Sequence, residues 1–193
     1  MRLNLIIAGA PGCGKGTQSE LIVKHFNLRH FSTGELLRHE IAEQTPLGIE
    51  IDAIISKGNL VPDSMIIEIL TKAIGRMCDE CAGILLDGFP RTRAQAEALE
   101  VMMQQRGTPM SLFIDLQVPE RELINRLLIR GETSGRSDDN METISKRLEI
   151  YHIKTEPVND FYKQLGKYVA IDGMGGIEEI FERIRKVLEK QLD

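Results

Sequence analysis

The chain has 193 residues, 42% of them hydrophobic and 27% charged. That is enough apolar material for one domain with inserted lobes, and it excludes whole-chain disorder, a collagen-like chain and a small disulfide scaffold. The 24 basic and 29 acidic side chains leave a net charge of −5, which weighs against a general binder of nucleic acid or membrane surfaces but leaves room for a local cationic site.

In chain order, the first apolar run, Leu3–Ala8, reads as a strand. It is shorter than a signal-peptide core and leads straight into glycines, and no run approaches the roughly 18 apolar residues of a membrane span. The expected location is the cytoplasm. The next segment is Gly9-Ala10-Pro11-Gly12-Cys13-Gly14-Lys15-Gly16-Thr17. Its Gly-x4-Gly-Lys spacing is that of a P-loop, in which backbone N–H groups turn inward around a polyphosphate, the following helix dipole favours the anion, and the lysine supplies charge. Gly16 intervenes before Thr17, the candidate hydroxyl on the Mg²⁺ side. The dinucleotide fingerprint G-x-G-x-x-G is not met.

A second strand is expected at Leu28–Phe31. Ser32 and Glu35 have capping-box spacing, so a helix is predicted from Ser32 to about Gln44. Residues 32–61 form a helical insertion, broken at Thr45–Gly48 and Lys57–Asn59. Asp63 is a candidate cap for a helix over Ser64–Ile74. Cys78 and Cys81 spell C-x-x-C, but a four-cysteine zinc site needs a second pair, and the motif lacks the βαβ placement of a redox pair. They read as incidental thiols near a helix end, and the odd total of three cysteines points to a reducing compartment.

Ile84–Asp87 is an apolar strand ending in a carboxylate, which in P-loop proteins serves Mg²⁺ directly or through water. Gly88-Phe89-Pro90-Arg91 follows at once, and the turn sets Arg91 at the carboxyl end of the sheet. There it can meet a phosphate or pair with Glu97, and its position favours the phosphate. Leu112–Leu116 is the fourth strand. Pro119 suits the first turn of a helix through Arg130. Arg126 and Arg130 share a face of it, with Arg136 and Arg147 beyond. Four guanidinium groups around the polar segment Gly131–Gly135 suit a bound polyphosphate, the alternative being local pairing of Arg126 with Glu122 and Arg130 with Glu132. Asp138 and Asp139 can cap the next helix or orient these arginines. The Asp139–Glu142 spacing predicts a capping box ahead of a helix over Met141–Ile153, and Tyr168–Ile171 is the fifth strand. Short, continuously apolar strands separated by helical segments predict an α/β, doubly wound, parallel sheet.

These segments resemble the nucleoside monophosphate kinases, and within them the short-lid adenylate kinases, over nearly the whole chain. Gly9–Gln18 looks like the phosphate loop, Phe31–Arg38 like the start of the monophosphate lobe, Leu85–Thr92 like the central signature, and Gly135–Asn140 with Lys146–Leu148 like the end of the lid. The resemblance implies a five-stranded P-loop core over 1–31, 62–128 and 140–193, an AMP-binding lobe over 32–61 and a short lid over 129–139. It implies that Gly12, Cys13, Gly14, Lys15, Gly16 and Thr17 hold the ATP phosphates, with Arg130 on the lid side and Gly175 against the adenine. Thr33, Arg38, Asn59, Leu60, Val61, Gly88, Phe89, Pro90, Arg91 and Gln95 are implied for AMP, with Arg136 and Arg147 bridging to it. Lys15, Arg91, Arg126, Arg136 and Arg147 are implied to be catalytic, and Thr17 and Asp87 to serve Mg²⁺ through water. Five residues separate Arg130 from Arg136, none of them cysteine, so no zinc is expected. The implied reaction is Mg·ATP + AMP ⇌ 2 ADP in a monomer, with no nucleic-acid or membrane partner. Thr33 and Thr92 stand where pyrimidine monophosphate kinases of the same fold tend to have Ala and Asn. The Asn-Lys-x-Asp base-reading motif of a GTPase-type switch is absent from the sequence, and the completeness of the motifs speaks against a non-catalytic nucleotide-binding module.

Overall fold

All five apolar runs are strands in the computed structural model, which describes residues 2–75, 81–134 and 138–192. They are β1 (Leu3–Gly9), β2 (Leu28–Ser32), β3 (Gly83–Asp87), β4 (Leu112–Gln117) and β5 (Tyr168–Asp172). They pair in parallel in the order β2-β3-β1-β4-β5. From β3 to β4 the chain crosses from one side of β1 to the other. The crevice where open α/β sheets bind ligands therefore lies beyond the carboxyl ends of β1, β3 and β4.

The period-two alternation of strands sorts the core into two layers. Leu5, Ile7, Leu85, Ile114 and Leu116 face one side. There they meet Ile22 of α1 (Lys15–Phe26), and Leu123 and Leu127 of the helix Glu120–Ser134. Ile144 and Leu148 of the helix Met141–Ile150 and Ile184 and Leu188 of the helix Ile177–Leu192 complete this layer. Ile6, Ile84, Leu86 and Phe113 face the other side. They pack with α2 (Thr33–Ala42), α3 (Pro46–Ile55), α4 (Asp63–Gly75) and α5 (Arg93–Gln105), and with Val158 and Tyr162 of the helix Pro157–Gln164. Both faces are covered, as continuous apolar strands require, and each buried Leu or Ile contributes about 1.5–3 kcal/mol. The C-terminal helices are numbered α6 (Glu120–Ser134), α7 (Met141–Ile150), α8 (Pro157–Gln164) and α9 (Ile177–Leu192).

The insertion 32–61 is a helical hairpin on this second layer. Ser32 caps α2 by accepting from Glu35 N–H at 3.3 Å, and α2 stops at Ala42 rather than Gln44, because Gln44 is left-handed at φ 53°. The break at Thr45 is a second cap, its hydroxyl accepting from Gly48 N–H at 2.9 Å. A Cβ on Gly48 would stand 2.0 Å from the Glu40 carbonyl oxygen, so only glycine lets α3 fold so closely onto α2.

Four expectations at helix ends are corrected. Asp63 is the first residue of α4, and its carboxylate reaches across to α5. Residues 131–134, expected to leave the core as a polar segment, prolong α6, with the Thr133 hydroxyl bonded back to the Ile129 and Arg130 carbonyls at 3.2 Å. Asn140, not Asp139, caps α7, accepting from Thr143 N–H at 3.0 Å. The helix expected to reach Ile153 ends at Ile150 and passes into a π-helical turn, Tyr151–Thr155, closed by Glu156 N–H on the Tyr151 carbonyl at 2.8 Å. Cys78 and Arg136 lie outside the described residues.

Candidate active site

A cavity of about 500 Å³ opens at the carboxyl ends of β1 and β3. One wall is the loop from Gly9 to Gly14. Gly12 and Gly14 have φ of 87° and 98°, a region glycine enters without a steric penalty, and Gly14 directly precedes α1. A Cβ on Gly9 would stand 2.6 Å from the Leu116 carbonyl oxygen and 2.7 Å from Cys13 Sγ. Lys15 folds over the loop, its Nζ donating to the Gly9 and Ala10 carbonyls at 2.7 and 3.1 Å and lying 3.5 Å from Cys13 Sγ. Gly12, Gly14, Lys15, Gly16 and Thr17 line the cavity. Cys13 does not, because its side chain is buried in the core beneath the loop.

Beside it stands the turn after β3, the strand paired with β1. Gly88 has φ 75°, and a Cβ there would stand 2.9 Å from Thr33 Oγ1 and 3.0 Å from Arg91 Nη2. Thr33 donates to the Gly88 carbonyl at 3.0 Å, and so does Arg91 Nε at 2.7 Å. The backbone of residue 91 is fixed on both sides: its N–H donates to Gln95 Oε1 at 2.7 Å, and its carbonyl accepts from the Thr155 hydroxyl at 3.0 Å. Burial pushes the Arg91 guanidinium below its ordinary pKa, Arg147 and Arg38 push the same way, and Asp87 and Asp138 oppose them. An anion bound among these cations would relieve their mutual repulsion. Glu97 does not pair with Arg91 but with Arg93, at 2.8 Å.

The third wall carries the remaining arginines. Arg126 pairs with Glu122 at 2.7 Å, as one reading of the spacing anticipated, and reaches the Gly173 carbonyl at 3.4 Å. Arg130 pairs not with Glu132 but with Asp139, in a fork of 2.6 and 2.7 Å. Arg147 joins that carboxylate at 2.8 Å and Asp138 at 2.8 Å. Burial works to raise the Asp139 carboxyl, but the Arg130 hydrogen bonds and charge, with Arg147 behind them, outweigh it and hold the group below the usual carboxylate range.

Arg38, Asn59, Leu60, Val61, Asp87, Gly88, Phe89, Pro90 and Gln95 also line the cavity, as do Arg126, Arg130 and Arg147. Gly175 does not; it lies exposed in the loop after β5. Thr17 and Asp87 offer a hydroxyl and a carboxylate to one cavity, an oxygen donor set that fits a hard cation completing its shell with phosphate and water. Sequence reasoning missed Tyr151 and Thr155, which also line it. The apolar period of α7 runs on into the π-helical turn without marking the extra residue, although such turns are frequent at functional sites.

A family model described as Adenylate kinase matches residues 7–167. A Parabacteroides distasonis protein named adenylate kinase is 53% identical over 186 residues, 96% of this chain and 97% of its own length. Namesakes from Phocaeicola vulgatus and Bacteroides fragilis are 51% and 49% identical, each over 97% of this chain and 99% and 98% of theirs. With its phosphate loop and arginine-lined cavity set on a five-stranded parallel sheet, the chain belongs to the adenylate kinase family.

Proposed function

We propose that the protein reversibly transfers a phosphoryl group from Mg·ATP to AMP, giving two ADP. The observation that carries this reading is that the P-loop and the Gly88–Arg91 turn, side by side at the ends of paired strands, line one cavity together with Arg38, Arg126, Arg130 and Arg147. ATP phosphates occupy the Gly12–Thr17 loop with Lys15, its adenine against the loop holding Gly175. AMP occupies the side formed by Thr33, Arg38, Asn59–Val61, Gly88–Arg91 and Gln95. The segments 32–61 and 129–139 act as lobe and lid on the core, closing to exclude the water that would otherwise compete as acceptor.

The accepting phosphate oxygen is already deprotonated at neutral pH, so no general base is required. A loose transition state asks for positioning and charge stabilisation, which Lys15, Arg91, Arg126, Arg136 and Arg147 provide. Thr17 and Asp87 would hold Mg²⁺, which would supply positive charge to offset that on the phosphates during transfer. The Arg91 guanidinium is already oriented, its Nε held on the Gly88 carbonyl at 2.7 Å and its backbone bonded on both sides.

Among the described residues no helix is long and apolar enough to cross a membrane. We take the working form to be a cytoplasmic monomer, which a sizing column and cell fractionation would check. The functional test is a product assay with Mg·ATP against AMP, CMP, UMP and GMP, and without acceptor. ADP formation with AMP is expected. Turnover with CMP or UMP instead would overturn the substrate, and phosphate release regardless of acceptor would overturn the transfer.

A further inference from the structure

Asp63 starts α4, one residue beyond the 32–61 segment, and its carboxylate spans to the start of α5. Oδ2 accepts from the Thr92 hydroxyl at 2.8 Å, and Oδ1 accepts from Gln95 Nε2 at 2.7 Å. The other end of that amide, Oε1, accepts from Arg91 N–H at 2.7 Å. A glutamine amide has two ends of nearly equal shape and opposite polarity, and an unconstrained one can turn over to suit either of two ligands. This one cannot. A carboxylate only accepts and a backbone N–H only donates, so turning over would set oxygen against oxygen and N–H against N–H. Gln95 is 2% exposed, and it lines the cavity while Asp63 does not. Each end of the amide keeps one further valence, a second hydrogen on Nε2 and a second lone pair on Oε1.

Adenine offers an exocyclic N–H donor beside a ring-nitrogen acceptor, the pattern a glutamine amide pairs with in two bonds. Guanine offers a carbonyl acceptor beside a ring N–H donor, the same positions with polarity reversed. With the phosphate end anchored among the arginines, the base cannot reverse itself to compensate. We infer that Asp63 is a positioning residue which, by fixing the polarity of the Gln95 amide, makes the acceptor side select adenine over guanine. The inference rests on the reading that Gln95 meets the base of AMP.

The test compares kcat/KM for AMP and GMP in the wild type, Asp63→Ala and Gln95→Leu, with GMP read as a competitive inhibitor where it is not turned over. In Asp63→Ala the AMP preference should fall about tenfold or more, the size of one well-made two-bond base contact. KM for AMP should rise while KM for ATP stays, a split that general loosening of the fold would not give. Asp63→Ser, too short to reach Gln95, should give the same ratio and replaces the alanine variant should that fail to fold. An unchanged AMP preference in Asp63→Ala and Asp63→Ser, with the preference lost in Gln95→Leu, overturns the inference alone. A preference unchanged in Gln95→Leu overturns the reading of Gln95 and the inference with it.

Discussion

Removing the Asp139 carboxylate should destabilise the protein far more than removing any acidic residue on its surface. The side chain has no exposed area and holds two arginines from different helices, Arg130 through two hydrogen bonds and Arg147 through one. Breaking a buried pair by deleting one partner costs about 3–5 kcal/mol, because the partners are left uncompensated. Arg130 is 32% exposed and Arg147 19%, so water recovers part of that loss, and about 2–3 kcal/mol is expected for Asp139→Ala. For a chain of this size the melting temperature should then fall by about 4–12 °C. Glu122→Ala is the control: it removes an i,i+4 partner that is one-third exposed and should cost only about 0.3–0.5 kcal/mol. The folded-state pKa of Asp139 is depressed. Its stabilisation is therefore complete above the unfolded carboxylate value of about 3.9 and is lost as pH falls through the lower folded value. Urea melts of wild type and variant should be well separated at neutral pH and converge in strong acid. A neutral-pH difference below about 0.5 kcal/mol, no larger than that of an exposed pair, would refute the reasoning that ties α6 to α7 through this carboxylate.

Other outcomes follow from the same geometry. Arg91→Ala should lower kcat by roughly 10³–10⁵, the scale of an arginine acting on a transferring phosphoryl group. It should melt near the wild type, because Gln95 and Thr155 hold the backbone of residue 91 rather than its side chain; near-normal turnover in the folded variant would reject the role. Lys15→Met should also collapse turnover in steady-state assays, its ammonium otherwise lying over the phosphate loop. The hydrogen bond that the His152 ring donates to Glu156 raises its pKa, with Glu120 adding to it against slight burial. That stabilisation is full below the unfolded value of about 6.5 and disappears as pH rises through the higher folded value. The ring is half exposed, so His152→Gln should cost at most a few tenths of a kcal/mol, seen near pH 5.5 and gone near pH 8.5. A pH-independent difference in melting temperature would count against it.

The three inner strands were legible because each buries both faces and so reads as a nearly unbroken apolar run, as Ile84–Asp87 and Leu112–Leu116 do, and the edge strands β2 and β5 because enough of that pattern remains. The phosphate loop was legible because its backbone demands glycine at fixed intervals. The pairing of Asp139 was not. Next to a helix start, an aspartate that caps and one that neutralises arginines look the same, and here Asn140 took the cap. Asp63 posed the same ambiguity, resolved by α5 packing near enough to use its carboxylate. Glu132 and Asp139 were both within sequence reach of Arg130. The choice fell to Asp139 because Gly131, having no Cβ, lets the Asp139 backbone come close, at a point where a Cβ would meet its carbonyl oxygen at 2.6 Å.

Lys15 and Arg91 are held in place by neutral carbonyls, those of Gly9, Ala10 and Gly88, rather than by carboxylates. A carbonyl orients a cation without cancelling its charge. The cleft of a chain with a net charge of −5 therefore keeps a positive local potential, felt by an approaching anion only within about a Debye length, roughly 8 Å at physiological salt. On the proposed reading, a polyphosphate entering the cleft would meet at Lys15 and Arg91 charges that carbonyls orient but do not neutralise. Lys15 and Arg91 would each trade a neutral carbonyl for a charged phosphate with no ion pair to break first, whereas Arg126, Arg130 and Arg147 would have carboxylates to leave.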